Sequence, residues 1–243
     1  MQITLEQVGV RGRREPLLSR FSVAVATGSA VLVAGEPGHG HTALALVASG
    51  RMHPSEGLVL LAGGDAGSAD AAATPEGPLP ALLREVTAVV DVPGVSEPDE
   101  ALTVADVVAE GLSLAGRPDR PRDVRGWIAA STRDVDRGTR VDQLTGPQRV
   151  ALLLALGAAD PRVRFLVLVL PDRHGGDPAQ WWDLALAWAA RGYGVLVGAT
   201  RSSARMLGAD LPEARGTGGV DPWHAPPVVA LTATPAPDSE DPR

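Results

Sequence analysis

The stretch Val31-Leu32-Val33-Ala34-Gly35-Glu36-Pro37-Gly38-His39-Gly40-His41-Thr42-Ala43-Leu44-Ala45-Leu46-Val47 leaves little choice of local structure. A β-branched and aliphatic run, then three glycines between Gly35 and Ala43, then an Ala/Leu run predict strand, loop and helix in succession. Glycines let successive backbone N–H groups turn inward around an anion. The first turn of the following helix adds unpaired donors and the positive end of its dipole. Such a stretch can hold a phosphate, and its candidate contact residues are Gly35, Gly38, His39, Gly40, His41, Thr42 and Ala43. Against the pattern G-x-x-x-x-G-K-[ST], Gly35, Gly40 and Thr42 are in place, but the lysine is His41. All 22 basic residues are arginine, so no shift of alignment supplies the missing lysine. An imidazole with an ordinary pKa of about 6.5 is charged only part of the time, so phosphate binding is expected to tighten as pH falls.

The rest of the chain alternates strand and helix signals. Ile3-Thr4-Leu5 with Val8-Gly9-Val10 reads as a strand, and Phe21 to Val25 alternates at period two. Gly50 suits the end of the helix after the phosphate loop, Leu58 to Leu61 is strand-like, and Gly63 to Pro80 reads as a loop. Val86 to Val90 is a buried strand. Leu102 to Leu114 has helical spacing with Thr103 as N-cap, and a second helix surrounds Trp127. Leu144-Thr145-Gly146-Pro147-Gln148 opens a further helix, with Gly146 as cap and Pro147 in first position. Strands at Arg164 to Leu170, Val195 to Val197 and Val228 to Leu231 follow, with a helix at Trp181 to Ala190 whose tryptophans pack rather than bind. The pattern predicts an α/β fold with a mainly parallel sheet flanked by helices. Its expected organisation is a first part of the α/β core at 1–94, a helical subdomain at 95–145, a second part of the core at 146–232 and a disordered tail at 233–243.

A net charge of −7 argues against a nucleic-acid partner, which needs a surplus of basic surface. There is no cysteine, no apolar run long enough to span a bilayer and no secretory leader pattern, so a cytoplasmic location is expected.

Taken in order, these landmarks resemble the nucleotide-binding domain of ATP-binding cassette (ABC) proteins, over residues 1 to 210. Gly35 to Ala43 is similar to the Walker A loop. Leu144 to Gln148 resembles the signature L-S-G-G-Q, which adds Thr145, Gly146 and Gln148 to the candidate nucleotide contacts. Ala159-Asp160-Pro161 precedes the strand that should end in Walker B, and Gly176-Asp177-Pro178 is similar to the D-loop. Arg191 to Val197 resembles the strand before the switch histidine. The resemblance implies a P-loop NTPase fold of ABC type with an inserted helical subdomain, and ATP as ligand. It also implies association with a membrane permease at the inner face of the cell membrane. Cassettes of the family pair head to tail, each signature facing the other's phosphate loop, so Arg149 is expected on a pairing face.

The departures bear on function. The family's Walker B aspartate and glutamate, which hold magnesium and polarise the attacking water, fall on Val169 and Leu170. Asp172 is the nearest carboxylate and would serve only if the strand were shifted. The glutamine that contacts magnesium should follow Val90, yet none lies between Gln7 and Gln143. The switch histidine falls on Arg201, and the adenine-stacking aromatic should lie near Val10 or Arg11, where the first aromatic is Phe21. No residue takes a catalytic or metal-binding role on this count, and magnesium lacks its usual ligands. His39 and His41 are two apart, as a shared cation would need, but have no third ligand nearby in sequence. Two functions fit: an ATP-binding transporter subunit with little or no hydrolysis, or a nucleotide-independent subunit that binds a complete cassette or a membrane partner.

Overall fold

The computed structural model describes residues 1–63, 71–72, 78–132, 135–212 and 226–235. Two sheets form. In the first, β1 (Gln2–Val10) pairs antiparallel with β2 (Leu18–Ala26) on one side and β4 (Glu56–Ala62) on the other, and β4 in turn pairs with β5 (Ala71–Ala72). The two apolar segments of β1 are one strand broken by a bulge, with Gln7 at φ 49 absorbing the register shift.

The second sheet carries β6 (Thr87–Val90), β7 (Phe165–Val169), β8 (Gly194–Thr200), β3 (Ala30–Gly35) and β9 (Val228–Ala233) in that order. The first four run parallel and β9 is antiparallel to β3. Side chains alternate across these strands, so two cores form. Val31, Val33, Val167 and Val169 face α1 (His41–Ala48) and the antiparallel sheet. Leu32, Ala34, Leu166 and Leu168 face the other way, onto α5 (Gly146–Gly157) and α6 (Pro178–Ala190). A strand covered on both faces needs no polar positions, which is why β3 and β7 read as unbroken apolar runs.

Between β6 and α5 lie α3 (Val104–Leu114) and α4 (Pro121–Ser131), with a cluster of Val104, Val108, Leu112, Val124 and Ile128 that also takes in Leu152 of α5. Thr103 caps α3 in a reciprocal box with Asp106. Two expectations change in detail. Val86 closes a helix, α2 (Leu79–Val86), rather than opening β6, and α2 and β5 fall within or beside the stretch read as a plain loop. Leu79 and Leu83 are buried, and that anchors α2 despite its Pro- and Gly-rich approach. Residues 64–70 and 73–77 lie outside the described residues, as does the tail from 236 onward.

At the open edge of β6, Arg51 Nη1 donates to the Thr87 carbonyl (3.3 Å) and to the Ser49 carbonyl (3.2 Å). Across the sheet, Trp181 is 1% exposed and its indole N–H has no partner among the described residues, so its contribution is packing. Trp181→Ala is expected to cost about 3–5 kcal/mol in urea unfolding, while Trp181→Phe costs less than about 1.5 kcal/mol.

Candidate functional site

The parallel strands end together, and the loops that follow them gather the candidate residues. β3 ends at Gly35, and the loop reaches α1 through Gly38 (φ 94) and Gly40 (φ 89), a conformation open to glycine. A Cβ on Gly40 would come within 2.3 Å of the Leu17 carbonyl, because the loop rests on the tip of the β1–β2 hairpin. Among the described residues no side chain caps α1, so its first-turn N–H groups, from His41 to Ala43, keep the character of an anion cradle. Within the loop, however, His39 N–H donates to the Glu36 carbonyl (3.0 Å) and Glu36 N–H donates to His39 Nδ1 (3.2 Å).

His41 departs from expectation. Its side chain is packed where Gly35 and Gly198 leave room, with Nε2 3.3 Å from the Gly35 carbonyl, and the residue is 5% exposed. Burial lowers its pKa, and the opposing pull of the Gly35 carbonyl and of Asp172 does not offset this. A buried, neutral imidazole supplies no standing charge to the loop, so the expected tightening with acid loses its basis.

β7 ends at Val169, and Leu170 follows at φ 51, a left-handed conformation that a branched side chain adopts only under constraint. Pro171–His174 then forms a 3-10 turn. Asp172, the nearest carboxylate, is engaged through one oxygen. Its Oδ2 accepts from Thr200 N–H (2.9 Å), Thr200 Oγ1 (2.5 Å) and Ser203 Oγ (2.8 Å), which ties it to the end of β8 and the start of α7 (Arg201–Met206). Val169 and Leu170 offer no side-chain oxygen to a metal ion, and Asp172 gives Oδ2 to its neighbours while its buried Oδ1 has no partner among the described residues. Among the described residues no three His, Asp or Glu side chains converge so as to hold a metal ion. Arg201, in the place of the switch histidine, is 5% exposed, donates to the Pro212 carbonyl and lies 4.0 Å from Glu36 of the phosphate loop. Phe21 is buried in the core and offers no stacking face.

The helix start at Leu144 to Gln148 is built differently from expectation. Thr145, not Gly146, is the cap: its Oγ1 accepts from Gln148 N–H (3.4 Å), and Gln148 Oε1 accepts from Thr145 N–H (3.0 Å). Gly146 packs so closely on the following turn that a Cβ would sit 2.5 Å from the Gly175 carbonyl. α1 and α5 belong to opposite cores, so within one chain the sheet lies between the phosphate-loop helix and the signature helix.

Sequence reasoning missed the strongest charge cluster. Asp91, the first residue after β6, is 1% exposed and sits at φ 55. Its carboxylate takes Arg149 Nε (3.1 Å) and Nη2 (2.9 Å) and Arg173 Nη2 (2.8 Å), and His174 Nε2 lies 2.8 Å from it and 2.7 Å from Arg173 Nε. Arg149 is therefore buried beneath the signature rather than displayed on a pairing face. Burial alone would raise the pKa of Asp91, but His174, Arg149 and Arg173 together hold it at about 2. The only sequence signal was a set of single charges embedded at the ends of apolar runs.

No protein-family model matches the sequence, and no curated protein matches it. Solved structures do. The dimeric form of a bacterial ABC transporter cassette superposes with a TM-score of 0.60 at 16% identity, over 84% of this chain and 90% of that one. A dimeric ATP-binding cassette in a post-hydrolysis state with ADP and phosphate gives 0.61 at 16% identity, over 84% and 90%. The ADP conformation of an ATP-binding cassette of an ABC transporter gives 0.54 at 16% identity, over 83% and 82%. The fold is that of an ABC cassette. Gly35 to Ala43 spans the end of β3, the loop and the start of α1, and Leu144 to Gln148 the approach to and start of α5.

Acid is expected to weaken this fold in two stages. Because the His41 pKa is lowered from 6.5, protonation favours the unfolded chain, so stability falls as pH drops below about 6.5. The Asp91 contribution, about 2 kcal/mol, is whole above its ordinary 3.8 and is lost as pH falls toward about 2. Urea midpoints against pH should show the first stage vanish in His41→Gln and the second persist.

Proposed function

We propose that the chain is a cassette subunit of a membrane transport system that holds ATP through backbone groups and does not hydrolyse it. The observation that carries this is the end of β7, where Val169 and Leu170 stand at the carboxylate positions and Asp172 is turned onto Thr200 and Ser203. Phosphoryl transfer is almost wholly positioning and charge stabilisation, and the side chains of Val169 and Leu170 supply neither a metal ligand nor a base. The uncapped first turn of α1 and the left-handed Gly40 favour retention of a phosphate. When ATP is bound, its chemistry is that of a polyphosphate anchor, with Gly38 to Ala43 the residues that would hold it.

The partners proposed are a membrane permease, which would bring the chain to the inner face of the cell membrane, and a second cassette. The solved cassettes of this fold include a dimer and an ADP- and phosphate-bound dimer, which favours pairing through the Thr145 to Gln148 face. Pro147 has no N–H to offer a phosphate across that interface. A second reading, a subunit indifferent to nucleotide, draws on the self-bonding of both segments: Glu36 with His39, and Thr145 with Gln148.

With ATP and magnesium, the purified chain is expected to release phosphate no faster than a protein-free blank. His41→Lys should leave this unchanged, because parts that act as a unit are not restored singly. Equilibrium dialysis of ATP separates the two readings, retention supporting the first and no retention with intact partner pairing supporting the second. Magnesium-dependent turnover that disappears in Asp172→Ala would overturn both.

A further inference from the structure

The phosphate loop brings no standing cation of its own, since Glu36 is acidic and His41 is buried with its pKa lowered by desolvation. Two neighbouring segments do. In the five-stranded sheet Gly35 pairs with Thr200, which sets Arg201 beside Glu36. The Arg201 side chain is 6% exposed; its Nη2 donates to the Pro212 carbonyl, while its Nε is a buried donor with no hydrogen-bond partner among the described residues. Glu36 lies 4.0 Å from that nitrogen, close enough to balance charge but too far to accept the hydrogen. A buried N–H left open in this way marks a place for an acceptor that the chain does not itself supply.

The second segment is the tip of the β1–β2 hairpin, against which Gly40 is packed so closely that a Cβ there would collide with the Leu17 carbonyl and with Leu18. The tip is closed by Leu17 N–H donating to the Val10 carbonyl (2.8 Å) and is tied down where Arg11 N–H donates to Ser55 Oγ (3.0 Å). It carries Arg11, Arg13 and Arg14 against one acid, Glu15, and all four are exposed. Among the described residues Arg13 and Arg14 form no ion pair. In a chain of net charge −7 this is a local reversal of sign, and it draws anions toward the loop. What the surroundings lack is a flat apolar surface for a base. Phe21 is the only Phe, Tyr or Trp before Gly40, and it is buried in the core. A guanidinium can lie against a ring, but it stacks on every base alike.

We infer that the loop recognises its ligand by charge and leaves the base unread. The ligand class is a triphosphate chain, held by the first turn of α1, by Arg201 and by the hairpin arginines Arg13 and Arg14, and the base adds nothing to affinity. This rests on the proposed reading that the loop retains phosphate, and it deepens that reading by making ATP one of several equivalent ligands.

Titration calorimetry of the purified chain with ATP, GTP and inorganic tripolyphosphate, without magnesium, tests this. All three are expected to fill one site, with dissociation constants within about threefold of one another. Arg13→Gln with Arg14→Gln changes only exposed side chains, and should weaken all three alike, by about tenfold at low salt and by less at high salt. The Arg201 Nε–H resonance should shift as tripolyphosphate saturates the unmodified chain. Nucleotide bound more than about tenfold tighter than tripolyphosphate, or ATP than GTP, would overturn the inference and leave ATP retention standing. Tripolyphosphate bound without ATP would uphold the charge site and overturn the nucleotide reading. No binding of any probe overturns both. Equal binding that keeps its full strength in the arginine variant, or that leaves the Arg201 Nε–H unmoved, overturns the charge site.

Discussion

Burial of the four parallel strands on both faces sets every other feature of the molecule. With no polar positions to spare along β3, β7 and β8, side-chain chemistry is pushed to the strand ends, where the chain turns. The C-terminal ends lie side by side, so the turns after Gly35, Val90, Val169 and Thr200 become neighbours although they are far apart in sequence. Open α/β sheets bind ligands at this edge for the same reason. In this chain the edge is occupied by side chains that answer one another: His41 with Gly35, Asp172 with Thr200 and Ser203, Asp91 with Arg149, Arg173 and His174.

Charged groups in a poorly hydrated crevice are costly unless they are paired. Those at this edge cancel locally. Asp91 and Glu97 face Arg149 and Arg173, and Glu36 faces Arg201.

The parts of this molecule visible in its sequence are those encoded by neighbouring residues. Val31 to Val47 and the Thr145–Gln148 helix start depend on glycine, proline and capping side chains within a few positions, so strand, loop and helix could be placed directly. α2 was hidden because its two anchoring leucines sit behind a Gly-, Ala- and Pro-rich approach, and β5 is too short to leave a periodic signal. The Asp91 cluster was not legible at all. Its partners are 58 to 83 positions away, and only the sheet order brings them together. The orientation of His41 had the same obstacle, since the slot it fills depends on Gly198 in β8.

Arg51 has a bearing on the life of the protein in a crowded solution. β6 is the outermost strand of its sheet, four residues long, and its Thr87 carbonyl would otherwise be available to a strand from another molecule. A guanidinium seated on that carbonyl offers an incoming backbone a charge in place of an acceptor. Sheets with bare borders invite accretion of foreign strands into fibrils. Here one acceptor on that border is covered by a side chain anchored just beyond the end of α1.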